Sequence, residues 1–445
     1  MHRFRSIVPR LSRSSRFRAL PISTRQFSIP SNAVPLPEDS SGLLCARGGD
    51  LYHVEFEIIE PVFKIIDTTL REGEQFATTF FTTEDKRVIA QMLDDLGVEY
   101  IEVMNPLASA QTAKDCEIIS SMGLKAKIAS HVRCNMVDVK EAINRGITVI
   151  HMYMATSPAL KKFSHGKNLR EIIEAAKEAI TYCKERNVEV RFSCEDTFRS
   201  DLADLLEIYS TLSEFGVDRI GLADTVGVAS PLQVLDTVRR IARVVTCEIG
   251  YHTHNDTGCC IANALLALQG GVTHIDTSVL GIGERNGITP LGGFLARMYT
   301  YNAGYKSMII ERYNLRVLKP LEEYVSHCAG VDIPFNNYVT GWSAFTHKAG
   351  VHSKAVLQNP SSYEVICPDD FGVSRDIKLA HRLTGWNAVG ERSTQLGLDL
   401  SESSIKEAAK FIKTLADTKK VDLEMLDKAL QNVGGGRPVN YGIQG

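Results

Sequence analysis

Short apolar, β-branched runs recur along this chain at 63–66, 100–103, 126–129, 149–154, 188–192, 219–222, 248–251 and 274–277. Helical patterns fill the intervals at 83–96, 110–121, 136–144, 169–186, 200–215, 231–245 and 260–269. Strands that alternate with helices pair in parallel, and eight such units predict an α/β fold of the (β/α)8 TIM-barrel type. A doubly wound sheet would carry fewer strands and a glycine-rich turn after the first, where this chain has Asp67-Thr68-Thr69-Leu70-Arg71-Glu72. Beyond residue 315 the pattern changes to helices and loops, with helical stretches at 318–327, 404–416 and 422–432. That remainder is too short for another barrel and reads as a C-terminal helical lid or dimerisation subdomain. The expected organisation is therefore a targeting and linker segment over 1–40, a catalytic barrel over 61–315 and the lid over 316–445.

Charge separates the head of the chain from its body. Residues 1–37 hold seven Arg, no Lys and no acid, which reads as a mitochondrial transit peptide. Without them the net charge is -10, a balance unsuited to wrapping nucleic acid by phosphate neutralisation. No apolar stretch reaches the ~18 residues of a membrane span. The ten cysteines include no CxxC pair, so neither a zinc ribbon nor a secreted disulfide framework is indicated.

In a (β/α)8 barrel the active site is built from the carboxyl ends of the strands. Here those ends read DTTLREGEQ, EVMNP, SHVR, HMYMATS, RFSCED, LADT, HTHND and SVLGIGERNG, so chemically capable groups gather there. His252 and His254 lie two apart on a strand and point the same way. With Glu72 from the first strand's end they form a 2-His-1-carboxylate face for a divalent metal, with Asn255 and Asp256 placed to orient the rings. Arg71 supplies a fixed cation beside any oxyanion formed there, and Gln75 a donor. Arg191, Ser193 and Glu195 share one face of the fifth strand, and an Arg beside a Ser is a carboxylate clamp. Glu195 is then either a base or the partner of Arg191. Thr225 and His131 add donors. The turn Gly281, Gly283, Glu284, Arg285, Gly287 follows the eighth strand, where barrels often bind phosphate groups. His352 and Tyr363, in the lid, are placed for proton transfer on closure.

With these motifs in hand, residues 61–435 resemble the homocitrate synthase branch of the DRE-TIM metallolyases, a family that includes isopropylmalate synthases. The strings that carry the likeness are TLREGEQF, ASHVR, SHGKN, RFSCEDTFRSD, ADTVG, HTHNDTGC, VLGIGERNGITPLGG, IPFNN and AFTHKAGVHSKA. The resemblance implies a Claisen-type condensation of acetyl-CoA with a 2-oxo acid, followed by thioester hydrolysis, in a homodimer that exchanges lids. It implies Glu72, His252 and His254 as ligands of Zn, Mn, Mg or Co. It implies Arg71 with the metal stabilising the alkoxide, and Gln75, His131, His151, Arg191, Ser193 and Thr225 around the 2-oxo acid. Glu195, His352 and Tyr363 form the implied proton-transfer set, with the Gly281–Gly287 turn toward acetyl-CoA. Arg191 favours a dicarboxylic acid such as 2-oxoglutarate, because a branched apolar 2-oxo acid offers a buried guanidinium nothing to pair with. The string HMYMATSP, by contrast, looks more like isopropylmalate synthases, which form the rival reading. A non-catalytic paralogue acting as a binding subunit is the alternative of a different class.

Two positions depart from the lysine-pathway pattern. Homocitrate synthases of that pathway typically carry acids where this chain has His151 and Gly250, and those acids help to bind lysine's ammonium. An imidazole and a hydrogen atom do not replace two carboxylates around a cation. The expected outcome is weak or absent lysine inhibition, measured as initial rates of CoA release with and without millimolar lysine; abolition of activity there would refute it.

Overall fold

The computed structural model describes residues 63–348 and 350–435; the expected transit peptide lies outside the described residues. Eight parallel strands form a closed barrel in chain order: β1 Lys64–Asp67, β2 Tyr100–Val103, β3 Lys127–Arg133, β4 Val149–Ala155, β5 Glu189–Glu195, β6 Arg219–Asp224, β7 Glu248–Thr253 and β8 His274–Thr277. The ring closes where β1 pairs with β8, Lys64 opposite His274 and Asp67 opposite Thr277. Around it run α1 Thr83–Leu96, α2 Ala110–Ser120, α3 Met136–Asn144, the single turn α4 Pro158–Leu160, α5 Leu169–Lys184, α6 Leu202–Phe215, α7 Pro231–Ala242 and α8 Cys260–Gly270. Side-chain caps start most of them: Thr82 with Asp85 and Asn168 with Glu171 form reciprocal capping boxes on α1 and α5.

Four strands run at least two residues further than the apolar pattern indicates, β3 to Arg133, β5 to Glu195, β6 to Asp224 and β7 to Thr253. Polar residues end the hydrophobic run there, yet their backbones stay in the ladder, and every second side chain faces the barrel axis. That inward set is unusually charged. At the amino end, Arg219 is buried and donates to Glu189 (2.5 Å) and Tyr100 (3.1 Å), while Lys64 pairs with Glu248 (2.9 Å). Above this plug lies a small apolar layer of Ile66, Tyr100, Ala129 and Val149, and the functional groups stand above that.

Beyond β8, four helices of the described residues escape the sequence pattern: α9 Leu291–Tyr299, α10 Ala303–Arg312, α12 Gly350–Gln358 and α13 Trp386–Gln395. Helix α9 is buried on nearly every face and carries Gly292 and Gly293 in its first turn, which makes it read as a loop; its Phe294 packs edge-on against Phe63 with centroids 5.1 Å apart. Helix α11 Leu318–Ala329 follows, then α12 Gly350–Gln358, α13 Trp386–Gln395, α14 Glu402–Thr418 and α15 Leu423–Gly434. The last three share a core of their own around Val389, Ile412, Leu426 and Leu430.

Glu322, buried on α11, holds the chain as it leaves the barrel. Its carboxyl accepts from Asn337 (2.7 Å) and from the Thr340 hydroxyl. Burial raises this acid to about 7, only partly offset by those two donors. A carboxyl raised above its unfolded value near 4.5 keeps its proton longer in the folded chain, so stability falls as pH rises between 4.5 and about 7. The loss amounts to about 3 kcal/mol. Glu322→Gln keeps an acceptor and removes the titration. The variant should gain on the wild type in thermal melts at pH 8 but not at pH 5, and equal differences at both pH values would count against this assignment.

Candidate active site

A cavity of about 340 Å³ opens at the carboxyl ends of the strands. Arg71, Glu72, Gln75, His131, Arg191, Ser193, Glu195, Thr225, His252, His254, Glu284 and Arg285 line it, together with Met104, Asn105, Arg133, Tyr153 and Gly250. Most of the groups singled out from sequence are thus brought together from all eight strand ends. Some are not. His151 is fully buried below the cavity, with Nδ1 2.6 Å from Glu102, and does not line it. Burial, and then the charge of Arg191, pushes that imidazole down to about 4. His352 and Tyr363 stack on each other, centroids 4.2 Å apart, on the exposed C-terminal segment and away from the cavity lining.

Glu72 follows β1 in a tight turn where the backbone N–H groups of Arg71 and Glu72 both donate to Thr68. The Gly281–Gly287 turn is packed onto this carboxylate and does not form an open phosphate cradle. The Glu284 N–H donates to Glu72 (2.9 Å), and a Cβ at Gly283 would lie 2.8 Å from the Glu72 side chain. Gly287 has φ +72°, and a Cβ there would sit 1.7 Å from the Gly281 carbonyl, so only glycine closes the turn. Arg285 is engaged by Asp256 (2.7 Å) and the Thr225 carbonyl (2.8 Å). Asp256 therefore does not orient either imidazole; Asp276 on β8 takes that part, 3.2 Å from His252 Nδ1.

Glu72, His252 and His254 each offer a ligand atom, all within 4.8 Å of one another. The two Nε2 atoms are 3.3 Å apart, and His254 Nε2 is 3.9 Å from Glu72. Burial, then the neighbouring His252, keeps the His254 ring neutral, leaving a lone pair free. Burial opposes ionisation of Glu72, but the charge of Arg71 holds it below the usual carboxylate range. These are the states a divalent ion requires of its ligands. The wider charge balance agrees: two guanidiniums, Arg71 and Arg191, face three carboxylates, Glu72, Glu102 and Asp276. One negative charge is left over, and a divalent cation would turn that balance to +1, a sign that suits an anionic substrate.

Glu102 and Asp276 were not singled out from sequence, because an acid within a short apolar strand looks like an interruption of the pattern. Inward parity on β2 and β8 was the available signal. Glu102 is fully buried, pairs with Arg71 (2.7 Å) and lies 3.7 Å from Arg191. Arg191 forks onto Asp276 (2.8 and 3.1 Å), which settles the alternative left open for Glu195: it is not the partner of Arg191. Burial, then the Asp196 charge, raises the Glu195 carboxyl. His131 stacks on Tyr153, centroids 4.5 Å apart.

Comparison with known proteins now fixes the class. Residues 62–325 match the HMGL-like family model, and residues 339–420 match the model of the homocitrate synthase post-HMGL domain. A solved hydroxymethylglutaryl-CoA lyase from Pseudomonas aeruginosa shares the fold, with a TM-score of 0.54 and 19% identity over 61% of this chain and 94% of that one. Mitochondrial homocitrate synthase of Schizosaccharomyces pombe is 52% identical over 83% of this chain and 88% of its own length. The cytosolic isozyme of Saccharomyces cerevisiae is 51% identical over 83% and 86% respectively. The chain belongs to the homocitrate synthase family.

The trio and its buttress make a direct test. Calorimetric titration with Mn2+ or Zn2+ should show one site in the wild type. Glu72→Ala should abolish it, and Gly283→Ala, whose methyl displaces Glu72, should weaken it about 10- to 100-fold. Unchanged affinity in both variants would show that the ion is held elsewhere.

Proposed function

We propose that this chain condenses acetyl-CoA with 2-oxoglutarate, giving homocitrate and CoA. The observation that carries the reading is a metal-ligand trio and two buried guanidiniums sharing one small cavity, in a chain about half identical to homocitrate synthases. On β5, Arg191 Nε and Ser193 Oγ are buried and have no hydrogen-bond partner among the described residues, and Arg191 and Ser193 both line the cavity. They are suited to take the distal carboxylate of a dicarboxylic 2-oxo acid, which leaves the isopropylmalate-type rival unfavoured.

The chemistry needs four things from the protein. A base removes a proton from the acetyl methyl group; the resulting enolate carbon attacks the ketone carbon, and the carbonyl electron pair moves to oxygen, which is then protonated. Water next cleaves the thioester to give the free acid and the CoA thiol. Glu72, His252 and His254 would hold a divalent cation, which would supply Lewis acidity to the condensation. Arg71, fixed by Glu72 and Glu102, places a second positive charge beside the ketone oxygen without reorganisation. Glu195, its proton affinity raised by burial, is suited to proton transfer.

His352 and Tyr363 complete the set as groups delivered by a second copy. Their position outside this chain's own cavity, with Tyr363 48% exposed, supports a homodimer that exchanges its C-terminal segments. The basic head and the mitochondrial names of several relatives support a mitochondrial location, although a cytosolic isozyme is as similar.

CoA release should be followed with a panel of 2-oxo acids. 2-Oxoglutarate should be the preferred acceptor, and preference for 2-oxoisovalerate would replace this reading with the rival one. Arg191→Ala should lower kcat/KM for 2-oxoglutarate by an amount worth about 2–5 kcal/mol. Normal handling of 2-oxoglutarate by that variant would refute the pocket assignment.

A further inference from the structure

The SHGKN string has no part in the chemistry above, yet it sits at the mouth of the barrel. It ends the β4-to-α5 connection, which passes through α4 and a π-helical turn, Lys161–His165. The connection is built, not slack. Ser157 caps α4, and Lys161 pairs with Asp204 (3.1 Å). His165 donates from Nε2 to the Ala155 carbonyl (2.9 Å) and accepts at Nδ1 from the Lys167 N–H (2.9 Å). One imidazole thus ties the loop to the end of β4, beside the cavity wall that carries Tyr153 and Glu195.

The strand-to-helix loops at this face carry six cations: Arg71, Lys161, Lys162, Lys167, Arg199 and Arg285. Four are matched to carboxylates, Arg71 to Glu72 and Glu102, Lys161 to Asp204, Arg199 to Asp196, and Arg285 to Asp256. Among the described residues, Lys162 and Lys167 form no ion pair. Between them stands Phe163, 80% exposed, with Lys162 Nζ 5.3 Å from its ring centroid. Positive charge left free at the rim of an otherwise charge-matched mouth suits an anion that arrives with the substrate. A coenzyme A thioester is such a ligand. Its acyl end fits a cavity of about 340 Å³, but its nucleotide, with three phosphate groups, has to lie outside.

We propose that the Lys161–Lys167 loop is the docking site for the phosphorylated nucleotide end of acetyl-CoA, with Lys162 and Lys167 facing phosphates and Phe163 against the adenine. Lysine ammonium groups bind phosphate as point charges, and an aromatic face flanked by a cation stacks readily on a base. The Gly281–Gly287 turn, expected from sequence to take this part, is closed onto Glu72 and has its arginine engaged by Asp256. This assignment rests on acetyl-CoA being the acyl donor, and the experiment separates the two claims.

Steady-state kinetics of the full chain are compared for wild type and Lys162→Ala/Lys167→Ala, using acetyl-CoA and acetyl-pantetheine, which lacks the nucleotide. The double variant should raise the KM for acetyl-CoA at least fivefold, with kcat and the KM for 2-oxoglutarate unchanged. With acetyl-pantetheine the two proteins should behave alike, and Lys162→Arg/Lys167→Arg should restore much of the lost affinity. An unchanged KM for acetyl-CoA, or an equal loss with acetyl-pantetheine, overturns the loop assignment while the condensation stands. A wild type that turns over no acetyl-CoA with 2-oxoglutarate overturns the condensation, and the loop assignment with it.

Discussion

A carboxylate with no access to water has to be paired, and Glu102 is such a group. Its partners come from three other parts of the barrel: Arg71 after β1, His151 on β4 and Arg191 on β5. Tracing contacts outward from it yields a closed circuit. Glu72 meets Arg71, Arg71 meets Glu102, Glu102 meets Arg191 and Arg191 meets Asp276. Asp276 meets His252, His252 meets His254, and His254 returns to Glu72. Two links are local, Glu72 with Arg71 and His252 with His254; the other five join different strands, so the strands must be in register before the ring can close.

Such a ring is a poor source of stability. Desolvating five charges costs at least as much as their mutual attraction returns, and well-packed apolar residues would serve a barrel core better. What the ring supplies is orientation. Each member is held by two neighbours, so a donor or ligand atom stands where negative charge has to develop and needs no rearrangement when it does. The glycine turn after β8 extends the same logic to Glu72, whose position is set by a backbone N–H and by the bare Cα of Gly283. Neither contact would be available if that turn were open to a ligand.

Much of this was legible in the sequence, and the parts that were not have separate physical causes. Period and punctuation located every barrel strand, seven helices between them and three more beyond residue 315, because burial of a strand on both faces writes itself as an apolar run and burial of one helix face as a period. The HxH pair and the TLRE turn could be matched because both belong to strand ends, which a barrel brings together by construction. Helix α9 was hidden because Gly292 and Gly293 in its first turn read as loop punctuation. Glu102 and Asp276 were hidden because their meaning is spatial: each is an isolated acid in a strand until the partner across the barrel is known. The expected targeting segment lies outside the described residues, and His352 and Tyr363 stand away from the cavity lining.

The misplacement of Asp256 shows the limit most sharply. It lies two residues beyond His254, and proximity in sequence made it the natural orienting group for the rings. In the barrel it turns to Arg285, while the carboxylate that meets His252 comes from the next strand, 24 residues further on. Ligands on a strand share its direction and can be read from parity. The groups that orient them have to approach from the side, which in a barrel means from a neighbouring strand or loop. A search for orienting groups in folds of this kind should therefore begin with acids at inward positions of the adjacent strands, before it considers residues along the ligand's own strand.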